Sequence, residues 1–238
     1  MSGRHACLAH FERQPETIVR AYVQEQALPA FSELLRYCAQ NRIAYHVVDD
    51  AELERVSASR HHEGICLFAK KVEVHLEDLL QSQAQRLRVL ALDGIDNPHN
   101  LGAILRTAAH FGVQVVLLEG QGALTPAAHR VAEGGTTWVD VIRVPAMPQA
   151  LLALKQEGFR IVGTGGRARQ TIYEERFADR MVLVLGSERD GMGEPVGNVC
   201  DVYVRIPGTD QVESLNVSAA CAVTLGEVWR QDMARGGR

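Results

Sequence analysis

The stretch LRVLALDGIDNPHNLGAILRTAAHFGVQVVLLE, residues 87–119, decides the fold. LRVLALD (87–93) is a nearly unbroken apolar run, a polar turn follows, and apolar residues then recur at Leu101, Ile104, Leu105 and Ala108. Spacing of i, i+3, i+4 and i+7 is the period of an amphipathic helix. It predicts a helix opening near Asn100, with that asparagine as its N-cap, and a second strand over VQVVLLE (113–119). Apolar strands joined through a helix belong to a parallel sheet covered on both faces, since the crossover lays helices over the strands. Gly102, Ala103, Arg106 and His110 share another face of the helix, where small residues beside an arginine leave room for a ligand or a partner backbone.

The same pattern continues outward. WVDVIRV (138–144), FRIVGT (159–164), MVLVLG (181–186) and DVYVRI (201–206) read as further strands, with helices over MPQALLALKQEG (147–158) and LNVSAACAVTLGEVWR (215–230). The result is an α/β domain whose ligands belong at the C-terminal ends of the strands. Upstream, TIVRAYV (17–23), AYHVV (44–48) and GICLFA (64–69) read as strands and PAFSELLRYCAQN (29–41) as a helix, giving a small α/β domain. Residues between them are polar and glutamine-rich. The expected organisation is therefore a domain over 1–70, a linker over 71–86 with one helical turn around LEDLL, and a larger domain over 87–238.

Composition narrows the function. With 46% apolar and 23% charged residues, the 238-residue chain has the make-up of folded domains, which excludes disorder. No run approaches the roughly 18 apolar residues of a membrane helix, and MSGRHACLAHFER has no apolar signal core, so a cytoplasmic protein without membrane partners is expected. Cysteines at 7, 38, 66, 200 and 221 form no C-x-x-C, which points to reduced core thiols and to no metal site. A net charge of −4 lacks the footprint of a non-specific nucleic-acid binder, so any nucleic acid must be held locally.

Three strand ends concentrate polar and glycine residues. Thr164, Gly165 and Gly166 follow one strand, as a tight turn or as a loop whose N–H groups face an anion or nucleotide; the dinucleotide fingerprint G-x-G-x-x-G is missing, which argues against an oxidoreductase. Gly186, Ser187, Glu188, Arg189, Asp190 and Gly191 follow another. Ile206, Pro207 and Gly208 end a third, and Ser214, Leu215 and Asn216 lead into the last helix. Taken singly, Asn100 reads as a structural cap, Arg106 as a surface ion pair and these loops as solvated turns.

Taken together and in order, these segments resemble the three motifs of the SpoU (TrmH) branch of the SPOUT RNA methyltransferases. The first runs through Asp93, Asn97, Pro98, Asn100, Gly102, Arg106 and Ala108; the second comprises Leu185, Gly186, Glu188 and Gly191; the third comprises Ile206, Pro207 and Ser214 to Ser218. Residues 1–70, ending in a His62-x-Gly64 strand pattern, resemble the L30e-like RNA-binding domain that precedes the catalytic domain in many members, and Arg60, His61 and His62 are candidates there for contacting structured RNA. The resemblance implies a parallel sheet with a trefoil knot and S-adenosylmethionine (SAM) held by Thr164, Gly165, Leu185, Gly186, Ile206, Leu215 and Asn216. It implies methylation of a ribose 2'-hydroxyl in rRNA or tRNA, with rRNA favoured, and a homodimer in which Arg106 reaches the partner's cofactor.

Asn100, Arg106, Glu188, Ser214 and Asn216 become the catalytic candidates. A guanidinium is a poor base, so Arg106 is expected to clamp the phosphate and the nascent alkoxide rather than take the proton. Many members carry methionine after the Ile-Pro pair where this chain has Gly208, a change expected to loosen the adenosine pocket. The competing reading is a catalytically inactive RNA-binding protein whose methyltransferase-like domain serves only for dimerisation.

Overall fold

The computed structural model describes residues 1–70, 74–122, 124–187, 191–209, 211–212 and 214–236. The chain divides into two compact units, Met1–Glu73 and Val74–Arg238.

The first unit contains, in chain order, α1 (Arg4–Arg13), β1 (Ile18–Val23), α2 (Ser32–Gln40), β2 (Ala44–Val47), α3 (Asp50–Ser57) and β3 (Ile65–Ala69). Its three described strands lie in the order β2-β1-β3, with β1 parallel to β2 and antiparallel to β3. Ala21 and Val23 of β1 turn into a core with Cys7, Phe31, Leu34, Cys38, Ile65 and Leu67. The helix expected from residue 29 starts at Ser32, after a 3-10 segment over Glu25–Phe31 that contains Pro29. Two helices are additions to the sequence reading. One is α3, whose N-cap Asp49 accepts from the Glu52 N–H at 2.8 Å.

The second unit runs α4 (Leu76–Leu80), β4 (Leu87–Asp93), α5 (Pro98–His110), β5 (Val115–Glu119), α6 (Pro126–Ala132), α7 (Gly135–Trp138), β6 (Asp140–Val144) and α8 (Met147–Gln156). It continues with β7 (Arg160–Thr164), β8 (Gln170–Thr171), β9 (Arg180–Gly186), α9 (Glu194–Gly197), β10 (Val202–Arg205) and α10 (Val217–Ala234). Among the described residues the strands form a seven-stranded sheet, β6-β5-β4-β9-β7-β10-β8, in which every ladder is parallel. Alternation along β4 explains its apolar run: Leu90 and Leu92 pack on one face with α5 and α10, while Val89 and Ala91 pack on the other with α8. Val74, Leu76, Leu79 and Leu80 lie against this second core.

Several details differ from the sequence reading, which lacked the short helices α6 and α9. Trp138 ends the short helix α7, so β6 begins at Asp140. The two-residue β8 is a seventh strand. The N-cap of α5 is Asn97 rather than Asn100: its carboxamide accepts from the His99 N–H at 2.9 Å, and Pro98 occupies the first helical position, where a missing N–H costs nothing. Strand β10 lies between β7 and β8, which only residues 165–169 connect, so the last described strand enters a gap framed by strands that precede it, an order consistent with the expected knot.

The end of α10 is fastened beneath the start of β4. Arg88 and Asp232, both nearly inaccessible, form a two-pronged ion pair, and Arg86 and Arg235 reach the same carboxylate at 3.0 and 2.8 Å. Burial pushes the Asp232 carboxyl up, but hydrogen bonds and charge from Arg88, with Arg235 and Arg86, outweigh it and hold the group below its ordinary range. Four of the five cysteines are buried and Cys200 is half-buried. Burial pushes the thiols of Cys7 and Cys221 up to about 12 and that of Cys200 to about 11, which keeps them protonated and inert at neutral pH. Among the described residues, no helix is long and apolar enough to cross a membrane.

Candidate active site

Strands β9, β7 and β10 are neighbours, so the loops leaving their C-terminal ends converge on one edge of the sheet. Thr164 ends β7, and its hydroxyl donates to the Val184 carbonyl at 3.0 Å, tying β7 to β9. The Gly165 N–H donates to the Val204 carbonyl at 3.0 Å, tying the next loop to β10. Residues 165–168 then close a tight turn through an Ala168 N–H bond to the Gly165 carbonyl at 3.0 Å.

Gly186, at the end of β9, is required by close approach of backbone. After Gly186 the chain folds back so that Ser187 and Gly191 exchange two backbone hydrogen bonds, at 2.8 and 3.0 Å. A Cβ on Gly186 would stand 2.5 Å from the Gly191 carbonyl oxygen and closer still to the Gly191 carbon and the Met192 nitrogen. Only glycine lets the backbone of Gly191 and Met192 lie on the strand end. Leu185 beside it is buried in the sheet, so its side chain belongs to the core. Glu188 lies outside the described residues.

The third motif meets the first through a side-chain hydrogen bond. Asn216 caps α10, its oxygen accepting from the Ser218 N–H at 2.9 Å, while its amide nitrogen donates to the Asn100 oxygen at 3.0 Å. Asn100 therefore acts from within the first turn of α5, as a partner of Asn216. Ser214 and Leu215 precede them, exposed, and Ile206 is half-buried at the end of β10. Among the described residues nothing crowds Gly208, so the glycine answers to no steric demand from them.

Arg106 points elsewhere. Six residues beyond Asn100, and so 240° around the helix, its guanidinium pairs with Glu133 at 2.9 Å, both side chains being about 60% exposed. Gly102 and Arg106 face the chain's own α6 and α7: a Cβ on Gly102 would meet Val131 and the Ala128 carbonyl, and one on Gly135 would stand 3.0 Å from the Arg106 Cα. The small residue at 102 is thus explained by packing of α6, not by space for a ligand or a second chain. Within one chain, the first motif divides its side chains between α10, which Asn100 faces, and α6–α7, which Arg106 faces.

Two polar residues that engage the motifs lie outside the sequence candidates. Asp93, which ends β4, accepts the Gly193 N–H at 2.7 Å and so anchors the far side of the loop after β9; its signal was its place as the first residue of the first motif. Glu133, partner of Arg106, holds a left-handed backbone (φ 43°) at the end of α6 and carried no sequence signal. In the first unit, His62 is buried, 3.4 Å from Asp50, and its Nδ1 accepts from the Gly64 N–H at 3.2 Å, while Arg60 pairs with Glu54 at 2.8 Å. His62 therefore braces a turn, and Gly64 is needed there by its positive φ of 82° and by Ala27 close above it.

The edge carries open space at Gly208, no clash at Gly165, where Tyr203 lies at ordinary contact distance, and apolar side chains at Ile206 and Leu215, features that an adenosyl sulfonium ligand can use. Comparison with known proteins agrees. Residues 87–226 match the model of the SpoU rRNA Methylase family, and residues 2–75 match that for RNA 2'-O ribose methyltransferase substrate binding. The chain is 41% identical to the uncharacterized tRNA/rRNA methyltransferase YfiF of Escherichia coli O157:H7 over 234 residues, 98% of this chain and 68% of that one. It is 35% identical to the 23S rRNA (guanosine-2'-O-)-methyltransferase RlmB of Vibrio cholerae, over 98% of this chain and 96% of the relative. The crystal structure of the SpoU methyltransferase AviRb from Streptomyces viridochromogenes, in complex with AdoMet, superposes with a TM-score of 0.74 at 21% identity, covering 100% of this chain and 91% of AviRb. The strand-end loops, the Asn100–Asn216 contact and the matched family models lead to one assignment: the chain belongs to the SpoU rRNA methylase family.

Proposed function

We propose that the protein transfers a methyl group from SAM to the 2'-hydroxyl of a ribose in ribosomal RNA, with a guanosine of the large-subunit RNA, the substrate of the RlmB relatives, as its target class. The observation that carries this is the Asn216–Asn100 hydrogen bond of 3.0 Å, which joins the first motif to the third at the start of α10. SAM, when bound, supplies an already activated methyl group. The chain's task is therefore to align the 2'-oxygen and to stabilise charge as it loses its proton.

Thr164, Gly165, Leu185, Gly186, Ile206, Leu215 and Asn216 hold the cofactor, largely through backbone groups at the three strand ends. Asn100, Ser214, Asn216 and Glu188 orient the ribose. Arg106 steadies the phosphate and the developing alkoxide, and its guanidinium remains protonated throughout. Its pair with Glu133 is exposed on both sides, and such pairs are worth at most about 1 kcal/mol, so RNA phosphate can draw Arg106 away cheaply.

Domain roles follow the same division: residues 1–70 form the L30e-like substrate-binding domain, residues 71–86 lead into the catalytic part, and residues 87–238 form the knotted methyltransferase domain. The enzyme acts in the cytoplasm, without a metal, as a homodimer. Exposed Val212 and Val223, large apolar side chains before and along α10, support self-association. Incubating rRNA from cells lacking the gene with enzyme and isotopically labelled SAM tests the reading. Label in a 2'-O-methylnucleoside supports it, and RNA left unlabelled under conditions where SAM binds overturns it.

A further inference from the structure

The first unit's sheet leaves part of one face open, and the residues there are not those of an ordinary solvated surface. Ala21 and Val23 face the core, so Arg20 and Tyr22 of β1 face the other way. Register places Phe68 across from Arg20 and His46 across from Tyr22, so strands β3, β1 and β2 contribute one residue each to an aromatic row. Tyr22 stacks on His46 with ring centroids 5.1 Å apart and planes 23° from parallel, and meets the Phe68 ring edge-on at 5.8 Å. The Arg20 guanidinium donates to the Tyr22 hydroxyl at 3.3 Å. Phe68 is 47% exposed, and Arg20 and His46 are also exposed, whereas Cys66, next along the same face, is covered.

Exposed aromatics cost solubility, and this row is not buried by its own unit. Ring faces flanked by a fixed guanidinium suit unpaired nucleobases, which stack on aromatic planes while the cation meets phosphate. The unit as a whole matches a substrate-binding family model for RNA 2'-O ribose methyltransferases. We infer that Arg20, Tyr22, His46 and Phe68 form a stacking platform for unpaired bases of the substrate RNA, an inference that rests on the RNA-methyltransferase reading above. The platform recognises single-stranded segments near the target through stacking and one phosphate contact, and it is sequence-tolerant, since every base has a π-face.

The test uses the full chain and a Phe68→Ala/His46→Ala double variant, both residues being exposed enough to remove without disturbing the core. Loss of one stacked base is worth roughly 5- to 150-fold in affinity. The inference expects KM for rRNA, and Kd for a single-stranded oligouridylate probe, to rise at least fivefold, with kcat and SAM affinity unchanged. Phe68→Trp should restore both, with its fluorescence quenched by the probe, and photocrosslinks from 4-thiouridine-labelled RNA should map to Tyr22 or Phe68. Unchanged oligouridylate affinity in the double variant overturns the platform even when methylation is intact. A change in sedimentation with no change in RNA affinity overturns it too and makes the row a protein-docking surface. Wild-type protein that binds the probe through this face yet methylates no RNA sustains the platform while refuting the methyltransferase reading.

Discussion

Replacing Gly186 by alanine puts the proposed cofactor edge under a load that can be worked out from the structure. The added Cβ would sit 2.5 Å from the Gly191 carbonyl oxygen, against the 3.4 Å at which ordinary contact begins, so Gly191 and Met192 must retreat by about 1 Å. The neighbours are backbone atoms, which cannot swing aside as a side chain would. Overpacking of this kind costs about 1–3 kcal/mol, and the strain falls on the paired hydrogen bonds between Ser187 and Gly191. Because Gly191 is exposed, it yields before the sheet does. The variant should therefore fold, melting a few degrees lower, yet bind SAM 10- to 100-fold more weakly, a loss of about 1.4–2.7 kcal/mol. Calorimetric titration with SAM, alongside a thermal melt, reads both quantities. A Kd within twofold of wild type in a folded variant would refute the reasoning, since the loop that closes on Gly186 would then lie outside the cofactor site.

Arg106→Ala should abolish turnover with SAM affinity unchanged, and Arg106→Lys should recover little, because an ammonium cannot reproduce a two-pronged contact; full activity in the lysine variant would contradict the clamp. Asp232→Asn should cost about 3–5 kcal/mol in denaturant unfolding by leaving Arg88 buried without its counter-charge, and a loss below 1 kcal/mol would show the pair to be dispensable. Since arginines hold the folded-state pKa of Asp232 below its unfolded value, its contribution to stability is complete above the ordinary aspartate range and is lost as pH falls through the lowered value; acid unfolding of the wild type that lacks this component in comparison with Asp232→Asn would count against it. Inactive Arg106→Ala and Asn216→Ala chains, co-refolded, should regain about a quarter of wild-type sites if sites are shared across a two-fold dimer, and confirmed heterodimers without activity would place Arg106 in its own subunit's site.

What the sequence made legible was whatever depends on period and on glycine. The stripe Leu101, Ile104, Leu105 and Ala108 is buried as its spacing requires, and the strand runs over 87–93 and 181–186 pair along their full length. Misreadings came where two signals competed. Asn97 and Asn100 both suit a cap, and Pro98 at the first helical position was the deciding clue. Thr136, Thr137 and Trp138 favour strand locally, but close packing of Gly135 on α5 holds them helical. Asp49 and Glu52 carried a capping signal for α3 that the broader pattern obscured. The two-residue β8 has no period to read, and the insertion of β10 between β7 and β8 is a property of chain path rather than of any local pattern. At the site, Gly186 and Asn216 were legible as motif residues, whereas the pairing of Arg106 with Glu133 depends on α6 ending where it does.

The central claim is that the acceptor is a ribose 2'-oxygen. The most direct measurement compares two target-containing RNAs, identical except for a 2'-deoxy substitution at the modified nucleotide, each incubated with enzyme and deuterated-methyl SAM, digested to nucleosides and analysed by mass spectrometry. The account predicts a 2'-O-methylnucleoside from the first RNA and none from the second, with both RNAs bound equally. A labelled methyl group on a base, or label retained by the deoxy substrate, would contradict it.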